Sequence, residues 1–201
     1  MESWGDLLDR PQNGDHMVQL YGQDQGLLAH NVGRYLAPGL RDGDGLVIIS
    51  TSDHAAAIRR ELGEDRPEVS ATLQSGRILF LDARSTLDRL LLDGELNSTR
   101  FEQVIGGVLS EVRDRSTTGR VRAFGEMVAL LWADGRRDAA IDLEELWNGL
   151  LTKRWFSLFC AYPLDVFAEG AELEGVAAVL RAHSHMCAGQ GTVLTTARVW
   201  R

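Results

Sequence analysis

The hydrophobic residues of this chain fall into short continuous runs that alternate with longer segments of helical periodicity. Four runs have the length and composition of buried strands, at residues 16–21, 45–51, 77–82 and 156–162. A shorter apolar run covers residues 121–124. Alternation of such strands with helical segments predicts a three-layer α/β fold, in which a mostly parallel sheet is flanked by helices.

Apolar residues at helical spacing connect these predicted strands. The segment 28–36 keeps this spacing, and Pro38 followed by Gly39 is expected to end the helix. Residues 52–62 predict a second helix, and residues 101–112 predict a third with uninterrupted helical spacing. Each crossover of this kind returns the chain to the same edge of a parallel sheet.

The two ends of the chain differ from this pattern. Residues 1–15 are polar and are interpreted as a loose lead-in with one anchoring turn around Trp4. Residues 172–183 predict a last helix, and residues 192–200 predict a last strand that runs antiparallel at the sheet edge. Without an internal repeat or a linker, we predict a single domain over residues 16–201.

Composition and charge exclude several classes of function. The chain has 201 residues with a formal net charge of −8, so it is a poor candidate for direct nucleic-acid binding. Its longest apolar run, residues 127–133, is much shorter than the roughly 20 residues that cross a bilayer. The acidic start has no secretory signal, and Cys160 and Cys187 form no CxxC motif. We therefore expect a cytoplasmic protein with reduced thiols and no membrane contact.

The turn after the first predicted strand has the position of a phosphate-binding loop. A strand, a glycine-bounded turn and a helix hold phosphate because the helix N-terminal amides face the anion. The turn contains no lysine, serine or threonine, which a Walker A loop needs for phosphate and magnesium. Retained anion or nucleotide binding stays an alternative to a simple turn. Its candidate residues are Gly22, Gln23, Asp24, Gln25 and Gly26.

Two carboxylates follow predicted strands. Asp82 ends the third strand, where a helix-capping role is the favoured interpretation. Glu126 follows the strand at residues 121–124 and precedes an apolar helix start, where burying a charge without a purpose is costly. Ligands of open α/β sheets bind at the carboxyl ends of strands. Glu126 is therefore a candidate for ligand binding or for a hydrogen-bond network.

Histidines and cysteines near the end of the chain raise the question of a metal. His183, His185 and Cys187 occupy alternate positions, but alternate residues share a face only in an extended segment, and the preceding pattern is helical. Buried or capping histidines are the favoured interpretation, and we predict no metal site and no cofactor. A catalytic pair of Cys160 and His183 stays open, although no local signature supports it.

Aromatic residues are concentrated between residues 120 and 163. Cys160 and Tyr162 lie two positions apart on a predicted strand and share a face, which places Tyr162 near the edge where Glu126 is expected. Most of the aromatic residues must belong to the core. A pocket near Trp132, Tyr162 and Glu126 would suit a small apolar ligand.

Several sequence segments follow one another along the chain between residues 16 and 185. They are LYG after His16, GLRDGDGLVIIST, His54, GRILFLDA, FGEMVALLW, LEELWN, SLFCAYP and a late AHS. In this order they resemble the MEDS family, the methanogen/methylotroph sensory domain.

The resemblance implies a RecA-like or KaiC-like α/β fold that has lost the Walker lysine. It also implies a sensory role beside histidine kinase, PAS or DNA-binding modules, with small hydrocarbon-derived ligands. No output domain is expected within these 201 residues, so the chain is expected to act through a partner protein or on its own ligand.

We therefore predict a non-catalytic cytoplasmic sensory domain that binds a small ligand and signals, for example in transcription regulation, through a histidine kinase, PAS or transcription-regulator partner. A homodimer is compatible with the sequence. The alternatives are a nucleotide-binding domain with a degenerate phosphate loop and weak or absent ATPase activity, and a protein-interaction scaffold. The residues expected at the ligand are His16, Tyr21, Glu126, Trp132, Cys160, Tyr162 and His183.

Overall fold

The computed structural model describes residues 3–22, 25–153, 155–163, 173–188 and 192–195. The strands, numbered along the chain, are β1 (His16–Tyr21), β2 (Gly45–Ser50), β3 (Ile78–Asp82), β4 (Leu91–Leu92), β5 (Glu95–Leu96), β6 (Val121–Gly125), β7 (Phe156–Pro163), β8 (His185–Ala188) and β9 (Thr192–Thr195). The helices are α1 (Trp4–Asp9), α2 (Gln25–Asp42), α3 (Ser52–Leu62), α4 (Pro67–Gln74), α5 (Ala83–Leu90), α6 (Ser98–Phe101), α7 (Gly107–Arg115), α8 (Met127–Ala133), α9 (Arg137–Leu151) and α10 (Leu173–Ala182). A π-helical segment, Glu102–Gly106, joins α6 to α7.

A central sheet organises these elements in the strand order β3-β2-β6-β7-β1-β8-β9. Each pair of neighbours from β3 to β8 is parallel, and β9 pairs antiparallel with β8 at the edge. A separate antiparallel hairpin consists of β4 and β5, which the hydrophobic pattern did not predict. The predicted three-layer α/β fold is confirmed, including its antiparallel edge strand.

Alternate residues of the buried strands face two different core layers. On β7, Leu158 and Cys160 pack in the layer that contains the helices from α5 to α10. Phe159 and Ala161 pack in the opposite layer, with α1 to α4. Successive residues of a strand point to opposite faces of the sheet, so alternate residues contact different sets of helices. None of the described helices is both long and apolar enough to cross a membrane.

Helix α2 does not end at Pro38, as the sequence suggested, but continues to Asp42. A proline inside a helix removes a backbone donor and frees a carbonyl in the preceding turn. In that preceding turn, the carbonyl of Tyr35 accepts a hydrogen bond from the Arg122 guanidinium at 2.7 Å. A side chain at Gly39 would overlap Arg122, since an added Cβ would lie 2.5 Å from its Nε. Gly39 thus makes room for a buried arginine, which donates to the backbone of α2 at Tyr35.

Two further segments are more ordered than predicted. Residues 4–9 form α1 rather than a single turn, and the side chains of Ser3 and Asp6 build a capping box at its start. Trp4 is buried and packs edge-on against Phe159 with ring centroids 5.8 Å apart. Strand β8 was not predicted, because it is only four residues long and follows a helix. Its pairing with β1 is a tertiary contact that the local sequence pattern does not show.

Candidate functional site

Four side chains from distant parts of the chain converge under helix α9, and we call them the buried cluster. They are at most 2% exposed, and one possible ligand atom from each of them lies within 4.8 Å of those of the other three. The buried cluster consists of His16, Glu144, Cys160 and His183.

The fold brings these residues together through strand register and helix periodicity. His16 starts β1 opposite Leu158 of β7, so Cys160, two residues farther on, shares its face. Glu144 lies on the buried stripe of α9 with Leu143 and Trp147. Ser184 bonds to both backbone groups of His16, which fixes the preceding His183 beside β1. The buried cluster therefore depends on four elements packing correctly.

Backbone and amide acceptors determine the tautomer of His16. Its Nδ1 lies 2.9 Å from Oδ1 of Asn148 and 3.1 Å from the carbonyl oxygen of Ala182. The Asn148 amide nitrogen donates to the same Ala182 carbonyl at 3.0 Å, which orients its oxygen toward the histidine. Nδ1 must therefore carry the proton. In the neutral ring the lone pair is on Nε2, 3.4 Å from Sγ of Cys160 and 3.3 Å from Oε2 of Glu144.

His183 has the same arrangement. Its Nδ1 donates to the carbonyl of Val179 at 2.6 Å, so Nε2 carries the lone pair of the neutral ring. That lone pair faces Oε1 of Glu144 at 3.4 Å. Burial lowers the pKa of His183 to about 4, against the hydrogen bond to Val179, so the ring is neutral near pH 7. Both histidines therefore present lone pairs to one carboxyl group.

Glu144 is the centre of the buried cluster. Tyr162 donates its hydroxyl proton to Oε1 at 2.7 Å, whereas Oε2 accepts no hydrogen bond from any described residue. Burial raises the pKa of Glu144 to about 8, and the Tyr162 bond opposes this shift only in part. A neutral carboxyl group agrees with the short approach of His183, which is not an ion pair because its ring is neutral near pH 7.

The thiol of Cys160 is held next to His16 rather than in a reactive pair with His183. Burial, followed by the nearby Glu144 carboxyl group, raises the pKa of Cys160 well above that of a free thiol. Reactive cysteines have lowered pKa values and are partly exposed, so this environment is unlike that of a nucleophile. Tyr162 completes the surroundings, with its ring edge-on to Trp132 at a centroid distance of 6.1 Å.

A groove between α9 and α10 lies over the buried cluster. Its volume is about 250 Å³, and its walls are more apolar than polar. Glu144 and Asn148 line its floor and also contact His16, so the groove and the buried cluster share side chains. The lining residues are Ile141, Glu144, Glu145, Asn148, Ala178, Val179, Arg181 and Ala182.

Glu126 belongs to a second group at the carboxyl end of the sheet. Its Oε2 accepts from the backbone amide of Thr51 at 2.9 Å, and its Oε1 contacts Nδ1 of His54. Tyr21 lies edge-on to His54 at 5.8 Å between ring centroids. The carboxylate thus links the end of β6 to the start of α3. These contacts favour the hydrogen-bond network over direct ligand binding for Glu126.

The His54–Glu126 pair should make stability depend on pH. The hydrogen bond that His54 donates to Glu126 raises the pKa of His54 against its burial, with smaller help from the charges of Glu126 and Asp53. A raised folded-state pKa stabilises the fold at pH values below the unfolded value of about 6.5, and this contribution is lost as pH rises through the folded pKa. We expect His54→Gln to lose more stability relative to wild type at pH 6 than at pH 9, measured by urea unfolding.

The matched control for this measurement is His30→Gln. His30 is an exposed histidine, 3.6 Å from the exposed Glu61, and it should contribute little at either pH. An equal loss for His54→Gln at pH 6 and pH 9 would contradict a charged His54–Glu126 pair.

The structure describes only part of the loop after β1. Gln23 and Asp24 lie outside the described residues, and Gly22 and Gly26 are exposed. Gln25 begins α2. Asp82 accepts from the backbone amide of Ser85 at 2.8 Å, which is the helix-capping role favoured from the sequence. No Walker-type arrangement follows from the part of this loop that the structure describes.

The seven residues expected at one ligand site therefore separate into two groups. His16, Cys160 and His183 meet in the buried cluster, with Tyr162 and then Trp132 beside it. Tyr21 and Glu126 lie with His54 at the other group. Tyr162 donates its hydroxyl to Glu144 on α9, which directs it toward α9, whereas Glu126 contacts His54.

Sequence reasoning missed Glu144, Asn148 and His54 as site residues. Glu144 and Asn148 are four apart in LEELWN, on the stripe of α9 that is otherwise apolar. A polar pair at this spacing on a buried face was a usable signal, since buried polar groups need partners. His54 gave no comparable signal, because its partner Glu126 is distant in sequence.

The fold is similar to that of KaiC-like proteins, which defines the structural class. The crystal structure of a KaiC-like protein from the hyperthermophilic archaeon Pyrococcus horikoshii OT3 matches with a TM-score of 0.55 at 14% sequence identity, covering 88% of this chain and 72% of that chain. At this identity the match establishes the fold alone. No curated protein matches the chain significantly.

The family follows from the sequence. The sequence model of MEDS, described as the methanogen/methylotroph, DcmR sensory domain, matches residues 15–184. The chain belongs to the MEDS family, as its motifs indicated, and this membership supports a sensory or regulatory role. The matched region contains the whole buried cluster and both walls of the α9–α10 groove.

Proposed function

We propose that this domain is a non-catalytic sensor that binds a small molecule in the α9–α10 groove and passes a conformational change to a partner protein. The observation that carries the proposal is the groove itself, which is mainly apolar and has the buried cluster as its polar floor. Ligand pockets commonly combine apolar walls with a few convergent polar groups.

The size of the groove limits the ligand. Drug-sized ligands occupy pockets of about 300–1,000 Å³, so a groove of about 250 Å³ suits a smaller molecule. Ile141, Ala178 and Val179 offer apolar contact, and Asn148 and Glu144 offer hydrogen bonds. These features support a small, hydrocarbon-derived ligand that carries one polar group.

Signalling requires that the ligand bind two conformations unequally. Helix α10 forms one wall of the groove and leads directly into His183 and β8, whereas α9 forms the other wall. A ligand between the two helices would therefore bias the position of α10. We propose that a signalling partner, such as a histidine kinase, PAS or transcription-regulator module, reads this position.

A thermal-unfolding screen tests the proposed function. The probe is a set of neutral compounds of up to about ten non-hydrogen atoms, and a compound that binds the native state raises the melting temperature. We expect compounds that stabilise wild type to lose their effect on Ala178→Phe, in which the added ring fills the groove.

The matched control is Ala177→Phe, which adds the same ring at the neighbouring position of α10, outside the groove lining. It should keep the ligand-induced shift. If stabilising compounds act equally on wild type and on Ala178→Phe, the groove is not the ligand site.

Nucleotide binding remains a second candidate because another groove lies beside the loop after β1. It has a volume of about 460 Å³ and is lined by Gly26, Asp53, His54, Ala56, Ala57 and Arg60. Arg60 suits a phosphate, but Asp53 repels one, and the loop has no lysine. Saturable micromolar binding of ATP with magnesium, followed by calorimetric titration, would favour this second function.

A further inference from the structure

We propose that the buried cluster binds a divalent transition-metal cation of the zinc class. The inference deepens the proposed function, since Glu144 belongs to both the buried cluster and the α9–α10 groove. It rests on geometry: four side chains, each at a separate element of the fold, place their ligand atoms close together.

Distances from His16 Nε2 to two neighbouring ligand atoms match those of a tetrahedral metal site. Zinc lies about 2.0–2.1 Å from nitrogen, about 2.0–2.2 Å from oxygen and about 2.3 Å from sulfur, so neighbouring ligand atoms are roughly 3.3–3.6 Å apart. Nε2 of His16 lies 3.3 Å from Glu144 Oε2 and 3.4 Å from Cys160 Sγ. Nε2 of His183 lies 3.4 Å from Glu144 Oε1. With Oε2 as the carboxylate ligand, two edges of the tetrahedron, both at His16 Nε2, therefore have nearly the required length, and one ligand atom of each of the four residues lies within 4.8 Å of the others.

The hydrogen bonds around the buried cluster orient lone pairs rather than protons toward its centre. Nδ1 of His16 is directed at the Asn148 amide oxygen and the Ala182 carbonyl, and Nδ1 of His183 at the Val179 carbonyl. Metal-binding histidines characteristically donate their other ring proton to such acceptors, which fixes the tautomer. Oε2 of Glu144, at 1% exposure, accepts no hydrogen bond from the described chain and points into the same space.

Charge and ligand type select the class of cation. One thiolate and one carboxylate neutralise a divalent ion, so the loaded site is electrically neutral and can remain buried. Binding displaces the proton of the Cys160 thiol and that of the Glu144 carboxyl group. Sulfur and imidazole ligands favour zinc or similar transition metals over magnesium and calcium.

Four protein ligands leave no open coordination position, which is typical of a structural site. The cation would join β1, α9, β7 and the end of α10, and it would thereby fix the floor of the groove. Its role is then to set the position of Glu144 for ligand binding, in agreement with a sensor that does not catalyse a reaction.

Titration of the chelator-treated full chain with Co²⁺ alone tests this inference. A tetrahedral site containing Cys160 should bind one Co²⁺ and show visible d–d bands together with a near-ultraviolet thiolate-to-cobalt band. Zn²⁺ should displace the cobalt and raise the melting temperature. Cys160→Ala should lose the thiolate band.

The matched control is Cys187→Ala, which removes the other buried cysteine, on the opposite face of the sheet. It should keep the full spectrum. Asn148→Ala retains all four ligands and should bind Co²⁺ about 10–100-fold more weakly, because it no longer orients His16. This variant keeps the test informative if Cys160→Ala does not fold, as monitored by circular dichroism.

A wild-type spectrum without the thiolate band, or a band that persists in Cys160→Ala, would overturn the metal site. The proposed function fails separately. If small molecules raise the melting temperature of wild type but not of Ala178→Phe, and chelator does not change the melting temperature, the groove is a ligand site without a metal. If Co²⁺ binds as described but no small molecule acts, the metal site stands and the sensor proposal does not.

Discussion

Replacing Glu144 by glutamine is expected to weaken Zn²⁺ binding by at least about 100-fold while leaving the metal-free fold near its wild-type stability. Glutamine has nearly the same shape, and its oxygen can still accept the Tyr162 hydroxyl proton. Its amide group can donate toward Nε2 of His16, where the carboxyl oxygen now lies 3.3 Å away. It cannot supply the negative charge that a divalent cation requires in a buried site.

Thermal unfolding with and without Zn²⁺ measures both parts of this expectation. At a Zn²⁺ concentration of about 100 times the wild-type dissociation constant, the stabilisation of wild type is about 2.7 kcal/mol, and most of it should disappear in Glu144→Gln. The control is Glu145→Gln, which makes the same substitution at the adjacent exposed position. Equal behaviour of the two variants would assign the effect to overall charge rather than to the buried cluster.

Replacing Asp44 by alanine should lower the free energy of unfolding by about 3–5 kcal/mol, because it leaves the buried Arg122 without its counter-ion. The Arg122 side chain is 8% exposed, and its Nε lies 3.2 Å from Oδ2 of Asp44. Its guanidinium also bonds to Tyr35 and to the end of α1. The loss should therefore also loosen α1 and the middle of α2.

Urea unfolding of Asp44→Ala tests this expectation, with Asp42→Ala as the control. Asp42 is exposed at the end of α2, two residues away, and its removal should change stability by no more than about 0.5 kcal/mol. If Asp44→Ala lowers the free energy of unfolding by less than about 1 kcal/mol, the backbone carbonyls alone are enough to stabilise the buried charge of Arg122.

Much of the fold could be predicted because the strands are continuous apolar runs. Strands β2 and β7 are buried along nearly their whole length, so their sequences have no polar alternation to confuse with a surface strand. Pro38 misled the prediction because α2 continues past it to Asp42, and the packing of Arg122, from another strand, against Gly39 and the Tyr35 carbonyl is a tertiary contact. Strand β8 was missed for a similar reason, since its four residues become a strand through pairing with β1.

The candidate site could be predicted only in part. His16, Cys160 and His183 carry recognisable chemistry, but their meeting depends on the register of β1 with β7 and on the end of α10. Glu144 was not predicted, because in one dimension it is one of several acids on an amphipathic helix. Only packing of α9 against the sheet shows that its carboxyl group is buried while that of Glu145 is exposed.

Native mass spectrometry of freshly purified full-length chain tests the central claim that the buried cluster holds what this domain binds. Wild type, Glu126→Gln and Glu144→Gln should be purified in parallel without chelator. The account predicts a mass increment above the bare chain for wild type and for Glu126→Gln, and none for Glu144→Gln. An increment that survives Glu144→Gln but is lost in Glu126→Gln, or no increment on any of the three, would contradict the account.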